Sequence, residues 1–209
     1  MNETYVITIG RQLGSGGREI GVRIAGRLGI AFYDRELIEI AAQESGLGKA
    51  FFEKAEEQKG RSLFAGVMDL YGAFRDEGYS GNYLSNETLF NIQSGVISEL
   101  AGRESAVFIG RCADHVLKEH ARALHLFICA DLQDRIARIA AIQHVPEKKA
   151  REIILKTDKQ RAAYYNYFTE KAWGAAESYH LCINSSVLGI EETAAYICQF
   201  ARTRFGLSS

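Results

Sequence analysis

Two groups of residues in this sequence are typed and spaced for chemistry on a phosphate: glycines that let backbone approach an anion, and arginines that neutralise one. The glycines are Gly10, Gly14, Gly16 and Gly17, within Tyr5–Gly21 (YVITIGRQLGSGGREIG). A β-branched run, Tyr5-Val6-Ile7-Thr8-Ile9, leads into them, and a helical pattern carrying Ile20, Val22, Ile24, Ala25 and Leu28 leads out. The start of a helix offers unpaired N–H groups and a partial positive charge, and glycine removes the Cβ that would keep an anion at a distance. The cations lie further along. Arg111 follows the apolar run Ala106-Val107-Phe108-Ile109, at a strand end, where open parallel sheets place ligands. An arginine there suits a bidentate phosphate contact, and a surface ion pair is its plainer alternative. Lys156, Asp158, Lys159 and Arg161 share one helical stretch, with Asp158 and Arg161 three apart. That spacing sets a carboxylate beside cations on a turn, or simply decorates a solvated face.

Two phosphate-binding templates compete for the glycine turn. The P-loop pattern G-x-x-x-x-G-K-[ST] fits loosely. With Gly16 as its second glycine, the lysine position holds Gly17, the hydroxyl position Arg18, and the opening glycine falls on Arg11. The other template is the dinucleotide turn. Gly10, Gly14 and Gly16 form G-x-x-x-G-x-G, which resembles the cofactor turn of short-chain dehydrogenases, with Asp34 placed as a ribose-binding carboxylate. Tyr167 and Lys171 add a Y-x-x-x-K pair, but no serine precedes Tyr167 at the distance that chemistry needs.

The elements that must position these residues follow from periodicity. Gly29 stops the first helix and Phe32-Tyr33 extends into a short strand. Asp34 then either caps a helix with Leu37, Ile38, Ala41 and Ala42 inward, or meets a substrate. Lys49–Lys59 reads as a charged helix, and residues 60–86, rich in glycine and tyrosine, as a flap or substrate-side insert. A helix over Ser85–Arg103 precedes the strand Ala106–Ile109. Leu124–Cys129 is a buried strand, followed by a helix from Leu132 through Ile142, a charged helical region from Pro146 to Trp173, a strand His180–Ile183 and a closing helix Ile190–Phe205. Alternation of this kind without hairpin signals predicts an α/β, mostly parallel sheet of about five strands, with helices on both faces.

Composition bounds the rest. The 209 residues suit one domain, with 49–103 as a helical substrate-side insert and 146–173 as a lid-like region. A formal charge of −1 gives no global field for nucleic acid, so any anion site is local. The longest apolar runs are too short to span a membrane, and a strand starts too early for a signal peptide, so a cytoplasmic location is expected. Cys112, Cys129, Cys182 and Cys198 lack C-x-x-C spacing and read as free thiols; the five histidines lack metal spacing.

Taken together, these positions resemble the cytidylate kinase-like proteins, nucleoside monophosphate kinases of the P-loop fold. The resemblance runs from Ile7 to about Ile197. It is carried by Gly14-Ser15-Gly16-Gly17-Arg18-Glu19-Ile20-Gly21, Phe32-Tyr33-Asp34-Arg35-Glu36-Leu37-Ile38, Phe108-Ile109-Gly110-Arg111, Asp158-Lys159-Gln160-Arg161-Ala162 with Tyr164-Tyr165, and Ile183-Asn184-Ser185-Ser186. It implies a three-layer P-loop fold with a helical lid, and phosphoryl transfer from ATP or a similar triphosphate, with Mg2+, to a nucleoside monophosphate or another small phosphorylated metabolite. Gly14, Ser15, Gly16, Gly17 and Arg18 match the loop for the donor phosphates. Asp34 and Arg35 match the start of the monophosphate helix. Arg111 matches the arginine that grips substrate phosphate, and Asp158 and Arg161 match the lid pair; Arg18, Arg111, Asp158 and Arg161 are thus the candidate catalytic set. The departures are the missing loop lysine and hydroxyl, Ile109 and Cys112 in place of the aspartates flanking Gly110-Arg111, and Ile40 and Ile154 in place of two arginines. Arg11, Arg18 or Lys159 is expected to supply the missing charge, and Glu19 to help hold metal. A non-catalytic nucleotide or phosphometabolite binder of the same fold is the alternative. Oligomeric state is left open.

Overall fold

The computed structural model describes residues 4–34, 38 and 83–207. The chain divides into two compact units, residues 1–35 with 97–209, and residues 36–96. The first holds the sheet and the candidate site. The readings at Arg35, over 37–42, at Lys49–Lys59 and over 60–82 fall on residues outside the described ones, save Ile38, which is helical and buried.

The elements run β1 (Val6–Arg11), α1 (Gly17–Leu28), β2 (Ala31–Tyr33), α2 (Tyr83–Arg103), β3 (Ala106–Ile109), α3 (Ala113–Val116), β4 (Ala123–Cys129), α4 (Leu132–Gln143), α5 (Glu147–Thr169), a 3-10 turn (Ala176–Ser178), β5 (Leu181–Asn184) and α6 (Ser185–Phe205). The strands form one five-stranded sheet in the order β2-β3-β1-β4-β5, and all four pairings are parallel. This order corrects the dinucleotide reading. There, the second strand adjoins the first and brings its carboxylate to the cofactor turn; here β3 lies between β1 and β2. Tyr167, the other half of that reading, is 48% exposed and packs edge-on against Phe168.

Strand alternation splits β1 between two environments. Ile7 and Ile9 point into the main core, where Ile20, Ile24 and Ala25 of α1 and Ala194, Ile197, Cys198 and Ala201 of α6 pack on the same side as Leu124, Leu126 and Ile128. Each of those helices is capped by a residue the sequence supplies. Gly29, at φ 63, turns its N–H back to the Ala25 carbonyl, and Asn184 accepts the Ser186 N–H at the start of α6. That cap explains why α6 begins at Ser185 and not at Ile190, with Gly189 (φ 74, ψ 173) breaking its regularity. Likewise α5 stops at Thr169, short of Trp173, because Glu170 turns left-handed (φ 57) and Asn166 then receives the Trp173 N–H. All four cysteines are free; Cys112 and Cys198 are buried, whereas Cys182 is exposed. Among the described residues no helix is long and apolar enough to cross a membrane.

The opposite face of the sheet is polar at its middle. Thr8 pairs in register with His125, and their side chains share a buried hydrogen bond of 2.8 Å. The His125 ring stacks on His180, whose Nδ1 accepts the His125 backbone N–H. Burial, then the charges of His180, Lys171, His120 and Arg204, hold the His125 pKa down at about 4, against an ordinary 6.5. The unfolded chain therefore takes this proton first. Stability is complete above about pH 6.5 and declines as pH falls toward 4, by about 3 kcal/mol in total. Burial also lowers His180, which adds to the loss, while the raised carboxyl of Asp114 partly offsets it. Melting curves between pH 7 and 4.5 are expected to show a steep decline in the parent protein and a flatter one in His125→Gln. Parallel declines would assign the acid sensitivity elsewhere.

Candidate functional site

The glycine turn joins β1 to α1 at the carboxyl end of the central strand, and its backbone polarity is sorted. The Gln12 carbonyl accepts from the Ser15 N–H (3.3 Å) and from the Ser15 hydroxyl (2.9 Å). The Leu13 carbonyl accepts from Arg135 Nε (2.8 Å), and the Gly14 carbonyl from Arg138 Nη1. The Ser15 carbonyl accepts from the Ser185 hydroxyl (2.7 Å), and the Gly16 carbonyl from the Ile20 N–H (2.9 Å). Every carbonyl from Gln12 to Gly16 is thus held by a protein donor. Because the first helical bond starts at Ile20, the N–H groups of Gly17, Arg18 and Glu19 have no intrahelical acceptor. The turn presents donors and hides acceptors, which is what an anion requires.

Two glycines are there for steric reasons. Gly14 (φ +79) lies so close to Arg135 that a Cβ would sit 2.9 Å from its backbone oxygen, and at Gly16 (φ +74) a Cβ would sit 2.9 Å from the Ile190 side chain. Ser15 is fully buried, and its hydroxyl and backbone N–H are both spent on the Gln12 carbonyl, so it braces the turn and the donors left for a ligand come from Gly17 onward.

From α5, Asp158 reaches the turn: Oδ1 accepts the Leu13 N–H at 2.8 Å, and Oδ2 pairs with Arg135 Nη2. Both side chains are largely buried, at 15% and 6% exposed. One turn on, Arg161 Nη1 donates to the Arg11 carbonyl at 3.0 Å. Burial pushes the Arg161 guanidinium pKa down, Asp158 opposes the shift, and Arg135 adds to it. The sequence pairing of Asp158 with Arg161 therefore does place both against the glycine turn. Lys159, between them, is exposed, and helix geometry turns it about 100° away from Asp158.

Arg111 sits in a run of left-handed backbone, with φ 72, 54 and 53 at Gly110, Arg111 and Cys112. For two residues bearing side chains this costs about 1–2 kcal/mol each, a strain that accumulates where a side chain must be aimed. Its guanidinium lies 6.0 Å from the centre of the Tyr164 ring, on α5. Burial and the Asp114 charge push the neighbouring Cys112 thiol up to about 12, so it stays protonated and inert.

The remaining candidates are tied to partners. Arg18, at the start of α1, donates Nε to Asp34 Oδ2 (2.9 Å) and lies against the Phe32 ring, while two-thirds of its side chain is exposed. Asp34 is buried, and Arg18 is one of its partners. Glu19 is exposed and paired with Arg23 at 2.7 Å. Among the described residues no group of three or more His, Cys, Asp or Glu could hold a metal.

Sequence reasoning missed Arg135 and Arg138. They lie three apart on α4, the helix that leaves β4, and β4 is the parallel neighbour of β1. No local signal marks them, because the placing of α4 beside the glycine turn depends on a strand order that only the folded sheet shows. Another face of α4 is apolar, with Ile136 and Ile139 buried against Ala150 and Ile154.

The cytidylate kinase-like family model matches residues 6–187 of this chain. Among solved structures, an uncharacterized protein from Eubacterium ventriosum ATCC 27560 superposes with a TM-score of 0.73 at 23% identity, covering 96% of this chain and 99% of that one. Shikimate kinase from Acinetobacter baumannii, in complex with shikimate, gives a TM-score of 0.52 at 16% identity over 97% and 95%. Shikimate kinase from Bacteroides thetaiotaomicron gives 0.51 at 13% over 94% and 97%. At these identities the likeness is one of fold. A comparison with curated proteins gave no significant match.

Proposed function

This chain belongs to the cytidylate kinase-like family, and from that premise we propose that it transfers a phosphoryl group from ATP or a related nucleoside triphosphate to a nucleoside monophosphate or another small acceptor. The observation that carries the proposal is the sorted polarity of the turn, with carbonyls tied from Gln12 to Gly16 and helix-start amides left as donors. Phosphoryl transfer asks little covalent chemistry of a protein; it asks for positioning and for charge on the phosphoryl oxygens.

In this reading, the amides of Gly17, Arg18 and Glu19 receive the donor phosphates. Arg161 closes from α5 and Arg111 from the end of β3, so cations approach the transferred group from two other elements. Asp158 holds the turn to α5 and stands one helical turn from Arg161, which makes it the residue through which lid and loop move together. Arg18, held by Asp34, orients the start of α1 toward the acceptor side. A triphosphate brings Mg2+ as its own counter-ion, and no step here is assigned to a metal held by the protein.

The test is thermal unfolding with and without MgATP, followed by a coupled assay over a panel of nucleoside monophosphates and small phosphorylated metabolites. At a ligand concentration of 100 Kd the expected gain is about 2.7 kcal/mol, which is roughly 5–10 °C for a chain of this size. Gly16→Val is expected to abolish the shift, since both its left-handed backbone and the Ile190 contact exclude a branched side chain. Absence of any shift with nucleoside triphosphates in the parent protein would reject the proposal. A shift without turnover would favour the non-catalytic alternative, which draws its support from the missing loop lysine and from the pairing of Glu19 with Arg23.

A further inference from the structure

The turn departs from G-x-x-x-x-G-K at two places, Arg11 for the opening glycine and Gly17 for the lysine. In the folded chain these are not separate losses. A Cβ added at Gly17 would lie 2.7 Å from Arg11 Cβ and 3.1 Å from its Cγ. The aliphatic stem of Arg11 therefore runs over residue 17 and fills the space in which a side chain there would start. Gly17 is in α1 with ordinary helical backbone, so strain in φ does not demand glycine; the neighbour does. Beyond the stem, the guanidinium reaches the end of β3, where a methyl group on Gly110 would overlap it. The side chain thus runs from the start of α1 to the turn that carries Arg111. The Arg11 carbonyl, held by Arg161, fixes the backbone from which the side chain departs.

We propose that positions 11 and 17 have exchanged roles. Arg11, sent out from the end of β1, supplies the phosphate cation that a loop of this type otherwise sends from the first residue of its helix. Gly17 is glycine because the Arg11 stem occupies its place. The ligand class is the polyphosphate of a nucleoside triphosphate. A planar guanidinium can engage two of its oxygens at once, where an ammonium meets it as a point charge. The inference deepens the phosphotransferase reading and rests on it for the identity of the ligand, but not for the steric coupling of the two positions.

The experiment is a mutant cycle with two readouts. The first is titration with inorganic triphosphate and with MgATP. Arg11→Met, which keeps the stem and removes the charge, is expected to weaken binding about 10- to 100-fold, the worth of a charge-assisted hydrogen bond. Arg11→Gly is expected to weaken it at least as much. Gly17→Lys alone is expected to bind no better than Arg11→Gly, since the new side chain collides with the stem. The double variant Arg11→Gly/Gly17→Lys restores the full glycine-lysine pattern and is expected to recover most of the lost affinity. The second readout is unfolding without ligand. Gly17→Ala is expected to lower the melting temperature in the parent background and to raise it in Arg11→Gly, where the space is open and alanine is the better helix former.

Wild-type affinity in Arg11→Met, or no recovery in the double variant, overturns the exchange. So does a Gly17→Ala effect of the same sign in both backgrounds. A flat titration of the parent protein with every polyphosphate rejects the phosphotransferase reading and the cation role together, and the unfolding cycle then still decides whether the two positions are sterically coupled.

Discussion

Asp158→Ala is expected to remove about 3–5 kcal/mol of folding stability, enough to lower the melting temperature by about 10 °C in a chain of this length. The carboxylate makes two contacts that nothing else nearby can replace. Its Oδ2 pairs with Arg135, whose side chain is only 6% exposed, and its Oδ1 accepts the Leu13 N–H. Truncation leaves a buried guanidinium without a counter-charge and a turn amide without an acceptor, and both desolvation penalties then stand uncompensated. Asp158→Asn retains an oxygen for Leu13 while losing the charge, so it is expected to fall between alanine and the parent. Arg135→Met/Asp158→Leu removes both ions and is expected to be more stable than either single truncation, the usual asymmetry of buried pairs. Chemical denaturation of these variants, of Arg135→Met alone and of the parent decides the matter. If the alanine variant unfolds within about 1 kcal/mol of the parent, the pair is a surface contact in solution.

The same residue illustrates what the sequence could and could not disclose. Strand and helix positions were legible because burial leaves a period: Ile7 and Ile9 alternate, Ile20 and Ile24 recur, and the fully apolar Ala106–Ile109 can only be interior. The parallel order followed from alternation of strands with helices. The strand order did not, because a glycine turn after β1 is common to two folds, and only the pairing of β3 with β1 separates them. At the site, glycine spacing exposed the turn whose helix-start amides are left as donors, and the three-residue step from Asp158 to Arg161 exposed the helix face that meets it. Arg135 and Arg138 stayed hidden since contacts made across more than 100 residues have no local pattern. Nor could spacing reveal that the Arg11 stem and Gly17 compete for one volume, for the two are six positions apart and become neighbours only when the turn closes.

Arg161→Ala is expected to behave as the inverse of the Asp158 truncation: catalysis falls while stability holds. Its guanidinium donates one of its five N–H groups to the Arg11 carbonyl, which leaves donors for a ligand at the mouth of the turn. Burial and the Arg135 charge both push its pKa down, so the cation sits in a place the empty protein does not favour. Only Asp158 offsets this, and Asp158 is already committed to Arg135 and Leu13. A polyphosphate supplies the missing negative charge, and the attraction strengthens as charge spreads over the transferred group. Loss of one such donor is expected to cost about 100- to 1000-fold in kcat/KM. Arg161→Lys keeps the charge without the fork and is expected to recover part of that loss. Without ligand, the alanine variant is expected to melt close to the parent temperature, because relief from burying a cation offsets the lost Asp158 attraction and the lost Arg11 contact. Steady-state kinetics and unfolding curves on one preparation test both halves. A variant that melts well below the parent would make Arg161 a structural strut between α5 and β1, and one with parental kcat/KM would leave phosphate charge to Arg11 and Arg111 alone.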